Sequence, residues 1–242
     1  MNNLLKDQQN IADKGFTVID DVYNAEEIGT IISAINGIDQ SNPAFRKTND
    51  LFAIRRFLKE IPFIHSIIFN DNLKSIISEL FDDKYFIVKS IYFNKPEKSN
   101  WFVALHQDLT ISVAGKAETP GYGPWTVKLN NFGVQPPVEL LQDNFTIRIH
   151  LDDTDAGNGA LRVIPGSHLW GVYRAESINR DVETEEICGV KAGGVMLMRP
   201  LLMHASDRST NNKTRKVIHI EFSKADLPEG INWAEKELVS LG

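Results

Sequence analysis

The sequence predicts a mainly β protein, a jelly-roll core with α-helices flanking it on the N-terminal side. Three observations predict this. From residue 85 onward, short β-rich runs recur: YFIVKSIYFNK, WFVALHQDLTISV, FTIRIHLDD, ALRVIPGS, GGVMLMRP and RKVIHIEFS. Gly, Pro, Asn and Asp punctuate them, as in an all-β sandwich or jelly roll. Before residue 85 the apolar residues recur at helical spacing instead. Finally, 42% hydrophobic and 24% charged residues over a chain of 242 provide for one sizeable core.

Taken in order, residues 2–14 read as a first helix and GFTVID as a short strand. NAEEIGTIISAIN opens on an Asn cap and acidic first-turn residues, and Ile28, Ile31, Ile32 and Ile35 line one side. Residues 50–81 predict two more helices broken near Pro62. A helical part over about 1–84 thus precedes a jelly-roll core over about 85–225, and no linker divides the chain, so 1–242 is expected to be one domain. Residues 114–142 form a long insert. A loop that long in a compact domain is usually functional, so it is the candidate lid, with Tyr122, Trp125, Asn130, Asn131 and Phe132 on it. Pro136 and Pro137 would stiffen its exit, and Trp125 either covers substrate or anchors the loop.

The net charge of −6 is spread over interspersed acids and bases, which argues against a dedicated nucleic-acid surface. The lone Cys188 permits no intrachain disulfide and fits a reducing compartment. The N-terminus is too polar for a signal peptide, and no apolar run reaches transmembrane length. A cytoplasmic protein with no membrane partner is the expectation.

HQD, at 106–108, is the chemically loaded stretch. Residues i and i+2 of a strand share a face, so His106 and Asp108 would project together. They can hydrogen-bond each other or the backbone, or they can grip one divalent cation. The second reading needs a third ligand, from His65, His150, His168, His204 and His219. His204 closely follows the Pro200 that ends a β-rich run. Two histidines and a carboxylate with open positions mark non-haem Fe(II) oxygenases. The open positions must take a co-substrate and O2. If the co-substrate is a 2-oxo acid, its far carboxylate calls for a bidentate Arg, and Arg215 lies eleven positions after His204.

HQD, then NGALRVIPGSH, then His-x-Ser with an Arg eleven residues past the His, resembles the phytanoyl-CoA dioxygenase family of Fe(II)- and 2-oxoglutarate-dependent oxygenases. The resemblance covers roughly residues 16–222. It implies a double-stranded β-helix, or jelly-roll, core. It implies His106, Asp108 and His204 as iron ligands, with Arg215 and Ser206 holding the far carboxylate of 2-oxoglutarate. The implied reaction converts 2-oxoglutarate to succinate and CO2 and hydroxylates a small organic molecule. Related halogenases replace the carboxylate ligand with Gly or Ala, so the intact Asp108 points to hydroxylation. Desaturation, ring closure and epimerisation stay open. Two competing readings are a silent jelly-roll binding protein and a metal-dependent dioxygenase that uses no 2-oxoglutarate.

FTIRIHLDD alternates, with Ile147, Ile149 and Leu151 on one face and Thr146, Arg148 and His150 on the other. Arg148 and His150 would line the cavity. Many relatives carry an aromatic residue near Arg148, so a second cation there suggests an anionic substrate or a different grip on 2-oxoglutarate. The plainer alternative is a local ion pair. His150 is also a rival metal ligand. Lys89 either contacts co-substrate or substrate or is a plain strand lysine. Gln107 points away from iron and is structural. His168 serves its turn, His219 either lines the pocket or is a bonded core residue, and His65 is packing or surface. DDTDAGNG lacks the glutamate that completes an EF-hand and reads as an acidic turn.

Overall fold

The computed structural model describes residues 4–38, 45–49, 52–97, 99, 101–128 and 131–239. Helix α1 (Leu4–Asp13) leads into β1 (Phe16–Ile19). The link is Gly15, whose φ of +83° suits glycine; a Cβ there would sit 2.5 Å from His168 Nδ1. Helix α2 (Ala25–Asn36) starts on a full capping box. The Asn24 side chain accepts from the Glu26 and Glu27 N–H groups, and Glu27 accepts from the Asn24 N–H.

The next stretch departs from the expectation of two helices. Strands β2 (Phe45–Lys47) and β3 (Phe52–Arg55) form a hairpin ahead of the helices. Four residues of FAIR are too few to show a period, and tertiary pairing with the sheet decides their state. Three short helices follow, α3 (Phe57–Glu60), α4 (His65–Ile68) and α5 (Asp71–Leu80), with a 3-10 turn at Pro62–Ile64.

The remaining elements are β4 (Phe86–Lys95), β5 (Val103–His106), β6 (Ile111–Val113), β7 (Trp125–Lys128), β8 (Asn131–Val134) and α6 (Val138–Asp143). After them come β9 (Phe145–His150), β10 (Leu161–Val163), β11 (Glu186–Cys188), β12 (Val195–Met198), β13 (His204–Ser206), β14 (Arg215–Ser223) and β15 (Glu237–Leu238). The large sheet runs β1-β12-β9-β14-β4-β3-β2, with β15 added to β4, and a four-stranded sheet runs β11-β10-β13-β5. All pairings are antiparallel, as a jelly roll requires.

Alternation along β9 sorts its side chains. Ile147, Ile149 and Leu151 join the core shared with Ile31 and Ile35 of α2 and with Phe69 and Leu73. Fully burying such side chains is worth about 1.5–3 kcal/mol each. The opposite face packs toward the smaller sheet, where Met196 and Met198 meet Leu161, Val163 and Leu202. Arg148, register partner of Met196, lies on that inner face.

The insert is folded rather than loose. Its strands β7 and β8 join β6 in a third sheet, β6-β8-β7. Tyr122, Trp125 and Phe132 pack on Phe86, Val88, Ile111 and Trp233. Asn130 lies outside the described residues. The DDTDAGNG segment is a turn: Asp155 caps Ala156–Asn158, and Asn158 Nδ2 donates to Asp153 O and Thr214 O. No helix of the described residues is long and apolar enough to cross a membrane.

Candidate active site

His106 is the last residue of β5 and His204 the first of β13, and the two are register partners. Asp108 lies beyond the strand end, so regular alternation does not place it. Its backbone N–H donates to Pro200 O at 2.9 Å, which ties it to the turn that delivers His204. Asp108 Oδ1 is 3.7 Å from His106 Nε2, and its Oδ2 is 3.7 Å from His204 Nε2. One ligand atom from each of the three residues lies within 4.8 Å of the others.

The hydrogen bonds fix the tautomers. His106 Nδ1 lies 2.8 Å from Ala104 O, and His204 Nδ1 lies 2.9 Å from Leu202 O. A carbonyl only accepts, so each Nδ1 carries the proton and each Nε2 offers a lone pair to the centre. Burial pushes the His204 pKa down to about 4, against the pull of Asp108. Burial acts to raise the Asp108 pKa, but His204, Lys89, His219 and His106 together hold it down to about 2. His204 is therefore neutral and Asp108 ionised at pH 7, the states that a divalent cation demands. Two imidazole nitrogens and one carboxylate on one side fit a facial-triad iron site.

A second site adjoins it. Arg215 is buried; its Nη1 donates to Gly159 O and, at 3.2 Å, to Ser206 Oγ. Ser206 Oγ donates to Gly159 O at 2.9 Å. Lys95, opposite Arg215 in the β14–β4 ladder, is 1% exposed, and its Nζ donates to Asp207 O. Burial, then the neighbouring Arg215, lower its pKa to about 8. Burial and Arg148 push Arg215 the same way. Among the described residues, Arg148, Arg215 and Lys95 make no ion pair with a carboxylate. Three buried cations that disfavour one another suit a dianion, and a dicarboxylate such as 2-oxoglutarate fits.

Arg148 Nη1 lies 3.1 Å from His219 Nδ1. The guanidinium donates, so His219 donates from Nε2 to Glu221 Oε1 at 2.9 Å. Glu221 Oε1 also accepts from Lys89 Nζ at 2.6 Å. Arg148, His219, Glu221 and Lys89 thus form one chain across β9, β14 and β4. His150 takes no part in the triad. Its Nδ1 donates to Thr154 Oγ1 at 2.8 Å, since that hydroxyl gives its own proton to Asp152 O. The buried Nε2 has no hydrogen-bond partner among the described residues, and burial, Arg148 and Arg215 all favour the neutral ring.

Gln107 turns away and bonds three backbone groups of neighbouring segments: Gly171 O, Leu201 O and the Tyr173 N–H. His168 Nε2 meets Ala12 O at 3.1 Å, a turn-to-helix contact. His65 is partly exposed beside Glu237. Trp125 packs against the apolar cluster under the insert. Lys95 and Glu221 escaped the sequence reading. Strand alternation carries the missing signal: Lys95 shares a face of β4 with Lys89, and Glu221 shares one of β14 with Arg215 and His219.

A family model described as phytanoyl-CoA dioxygenase (PhyH) matches residues 11–217. A curated relative named "probable alpha-ketoglutarate-dependent hypophosphite dioxygenase", from Stutzerimonas stutzeri, is 25% identical over 197 residues, 75% of this chain. The match spans 58% of that relative's length. Among solved structures, the non-heme alpha ketoglutarate dependent epimerase SnoN from nogalamycin biosynthesis superposes with a TM-score of 0.68. It is 12% identical, with 97% of this chain and 93% of that chain covered. EctD from S. alaskensis, with 2-oxoglutarate and 5-hydroxyectoine, gives a TM-score of 0.67 at 18% identity, covering 90% of this chain and 75% of that one. At such identities the likeness speaks for the double-stranded β-helix fold alone.

Proposed function

Because the chain belongs to the phytanoyl-CoA dioxygenase family, we propose that it is an Fe(II)- and 2-oxoglutarate-dependent oxygenase that hydroxylates a small organic molecule. The observation that carries this reading is the adjacency of two sites of opposite character. The triad His106, Asp108 and His204 presents two lone pairs and a carboxylate. Beside it stands a buried cation pocket built on Arg215, Lys95 and Arg148.

His106, Asp108 and His204 would hold Fe(II), which, when bound, supplies O2 activation coupled to conversion of 2-oxoglutarate to succinate and CO2. The chain's own residues place the partners. Arg215 and Ser206 seat the far carboxylate of 2-oxoglutarate, and Lys95 adds charge where Arg215 alone would be one cation against a dianion. Arg148 sits against His219 on the inner face, and its charge is felt by Arg215 and His150. That supports the reading of Arg148 as a second grip on 2-oxoglutarate. Carbonyl bonds to both Nδ1 atoms keep the ligand rings oriented, and the apolar contact of Met196 and Met198 with Leu161 and Val163 excludes water from the inter-sheet space. Asp108 would supply a carboxylate to the metal, which supports hydroxylation. The buried lone Cys188 accords with a cytoplasmic setting.

The test needs no substrate. Metal-free protein receives Fe(II) and then 2-oxoglutarate without oxygen, and the visible spectrum is recorded. A weak charge-transfer band of the chelated 2-oxo acid is expected. Iron binding without that band would favour the silent or 2-oxoglutarate-independent readings.

A further inference from the structure

A cleft of ≈ 210 Å³ lies between β4 and the insert sheet, lined by Lys89, Ser90, Thr110, Phe132, Arg56 and Glu235 among others. It opens at a break in the edge of β4. Strand β3 pairs β4 only as far as Ile91, and β15 pairs only Phe86 and Ile87. Between them Ser90 bonds a side chain instead: its N–H and Oγ donate to Glu235 at 3.1 and 2.6 Å. The segment that carries Glu235 is itself fixed to β6, where Ala114 N–H donates to Asn232 O and Ala234 N–H to Ser112 O. The cleft is therefore walled by bonded backbone on both sides, and Glu235 is engaged in closing it.

Three cations line this space: Arg55, whose backbone pairs with Ile91 in the β3–β4 ladder, Arg56 and Lys89. Lys89 has three donors and, among the described residues, one bonded partner, Glu221. Its charge is also felt by the ligand Asp108, and Thr110, two residues past Asp108, lines the same cleft. Arg56 holds a left-handed backbone, φ +53°, which a non-glycine residue adopts only when its surroundings dictate it. The two residues after it, Phe57 and Leu58, are buried in the core. The strained turn thus sends the chain inward while the Arg56 side chain stays at the cleft. That side chain makes no hydrogen bond or ion pair among the described residues, and its charge is felt by Glu235.

We propose that this cleft is the primary-substrate pocket and that Lys89 and Arg56 seat an anionic group of the substrate there. The substrate class is a small organic acid, carrying a carboxylate or a phosphorus or sulfur oxoanion, whose remainder extends past Lys89 toward the triad. This rests on the oxygenase reading, because the cleft earns the name of substrate pocket only if the triad holds iron.

The experiment separates the two. Protein loaded with Fe(II) and saturating 2-oxoglutarate without oxygen is first checked for its charge-transfer band, which tests the oxygenase reading alone. It is then titrated by calorimetry with propionate, propylphosphonate, propanesulfonate, propanamide and propylamine. The acids are expected to bind with the band retained, and the amide and amine at least tenfold more weakly. The ranking of the three acids identifies the anionic group. Lys89→Met and Arg56→Gln are each expected to weaken acid binding at least tenfold with the band intact, and Lys89→Arg to retain it. Equal binding of acid and amide would overturn the proposal, as would unchanged acid binding in both variants. Loss of the band on adding acid would do so too, by placing the acid in the co-substrate pocket. Loss of the band in Lys89→Met alone would assign that lysine to the co-substrate instead.

Discussion

His106 and His204 stand opposite one another in the β5–β13 ladder, with ring centroids 4.3 Å apart. Backbone pairing, not loop conformation, sets their separation, and Asp108 closes the triangle from a bond to Pro200 O. A ligand set held this way has little freedom to re-form around a missing member. Asp108→Ala and His204→Ala are each expected to abolish turnover of 2-oxoglutarate and to lower iron affinity at least tenfold, with the fold kept. Metal content after gel filtration, beside circular dichroism, checks this. Full activity in Asp108→Ala would show that the ligand set is wrong.

Arg215 is expected to govern co-substrate binding without touching the metal. A hydrogen bond to a charged group is worth about 1.5–3 kcal/mol, so Arg215→Ala should raise the KM for 2-oxoglutarate about 10- to 100-fold while iron stays bound. Arg215→Lys should recover only part, because one ammonium cannot reproduce the guanidinium fork. An unchanged KM would remove the co-substrate assignment.

Lys95 makes stability depend on pH in a definite sense. Its folded pKa of about 8 lies below the ordinary 10.5. Below pH 8 the lysine is charged in both states, and the full cost of burying the cation is present. As pH rises from 8 toward 10.5 the folded state sheds a proton that the unfolded state keeps, so stability rises. The contribution is at most about 3 kcal/mol. The melting temperature of metal-free protein is expected to climb in this window relative to Lys95→Met. Parallel curves for the two proteins would contradict the burial argument.

Gly159 is the hinge of the same pocket. Its carbonyl accepts from Arg215 and Ser206, its φ is +83°, and a Cβ would meet Asp207 O at 2.6 Å. Gly159→Ala should cost at least about 1–2 kcal/mol for the left-handed backbone alone, read by urea denaturation. It should also raise the KM for 2-oxoglutarate by displacing the carbonyl that seats Arg215. A drop in stability with no change in KM would confine the glycine to a folding role.

The cluster of His106, Asp108 and His204 is legible because its residue types and order carry the chemistry, and the same order marks Arg215 and Ser206, which a hydrogen bond joins. The helix cap at Asn24 and the strand patterns of β9 and β14 were legible because capping and alternation are local. What escaped is non-local. Strand β3 exists because β4 offers it an edge, and nothing within FAIR encodes that. Lys95 matters because it faces Arg215 across a ladder, 120 positions away in sequence. Asp108 was placed by strand alternation, yet a bond to Pro200 O holds it. The sheet within the insert is non-local as well: its apolar residues find partners in Phe86, Val88 and Trp233.

Gln107 sits between two ligands and reaches neither. It grips Gly171 O, Leu201 O and the Tyr173 N–H, and Leu201 belongs to the turn that ends at His204. A residue that never meets iron therefore braces the approach of the farthest ligand. A mutational scan scored by activity alone would rank all three residues of HQD as equals. Only the dependence of lost activity on added metal separates them: an excess of Fe(II) should restore a braced-but-loosened site and leave a missing ligand unrepaired.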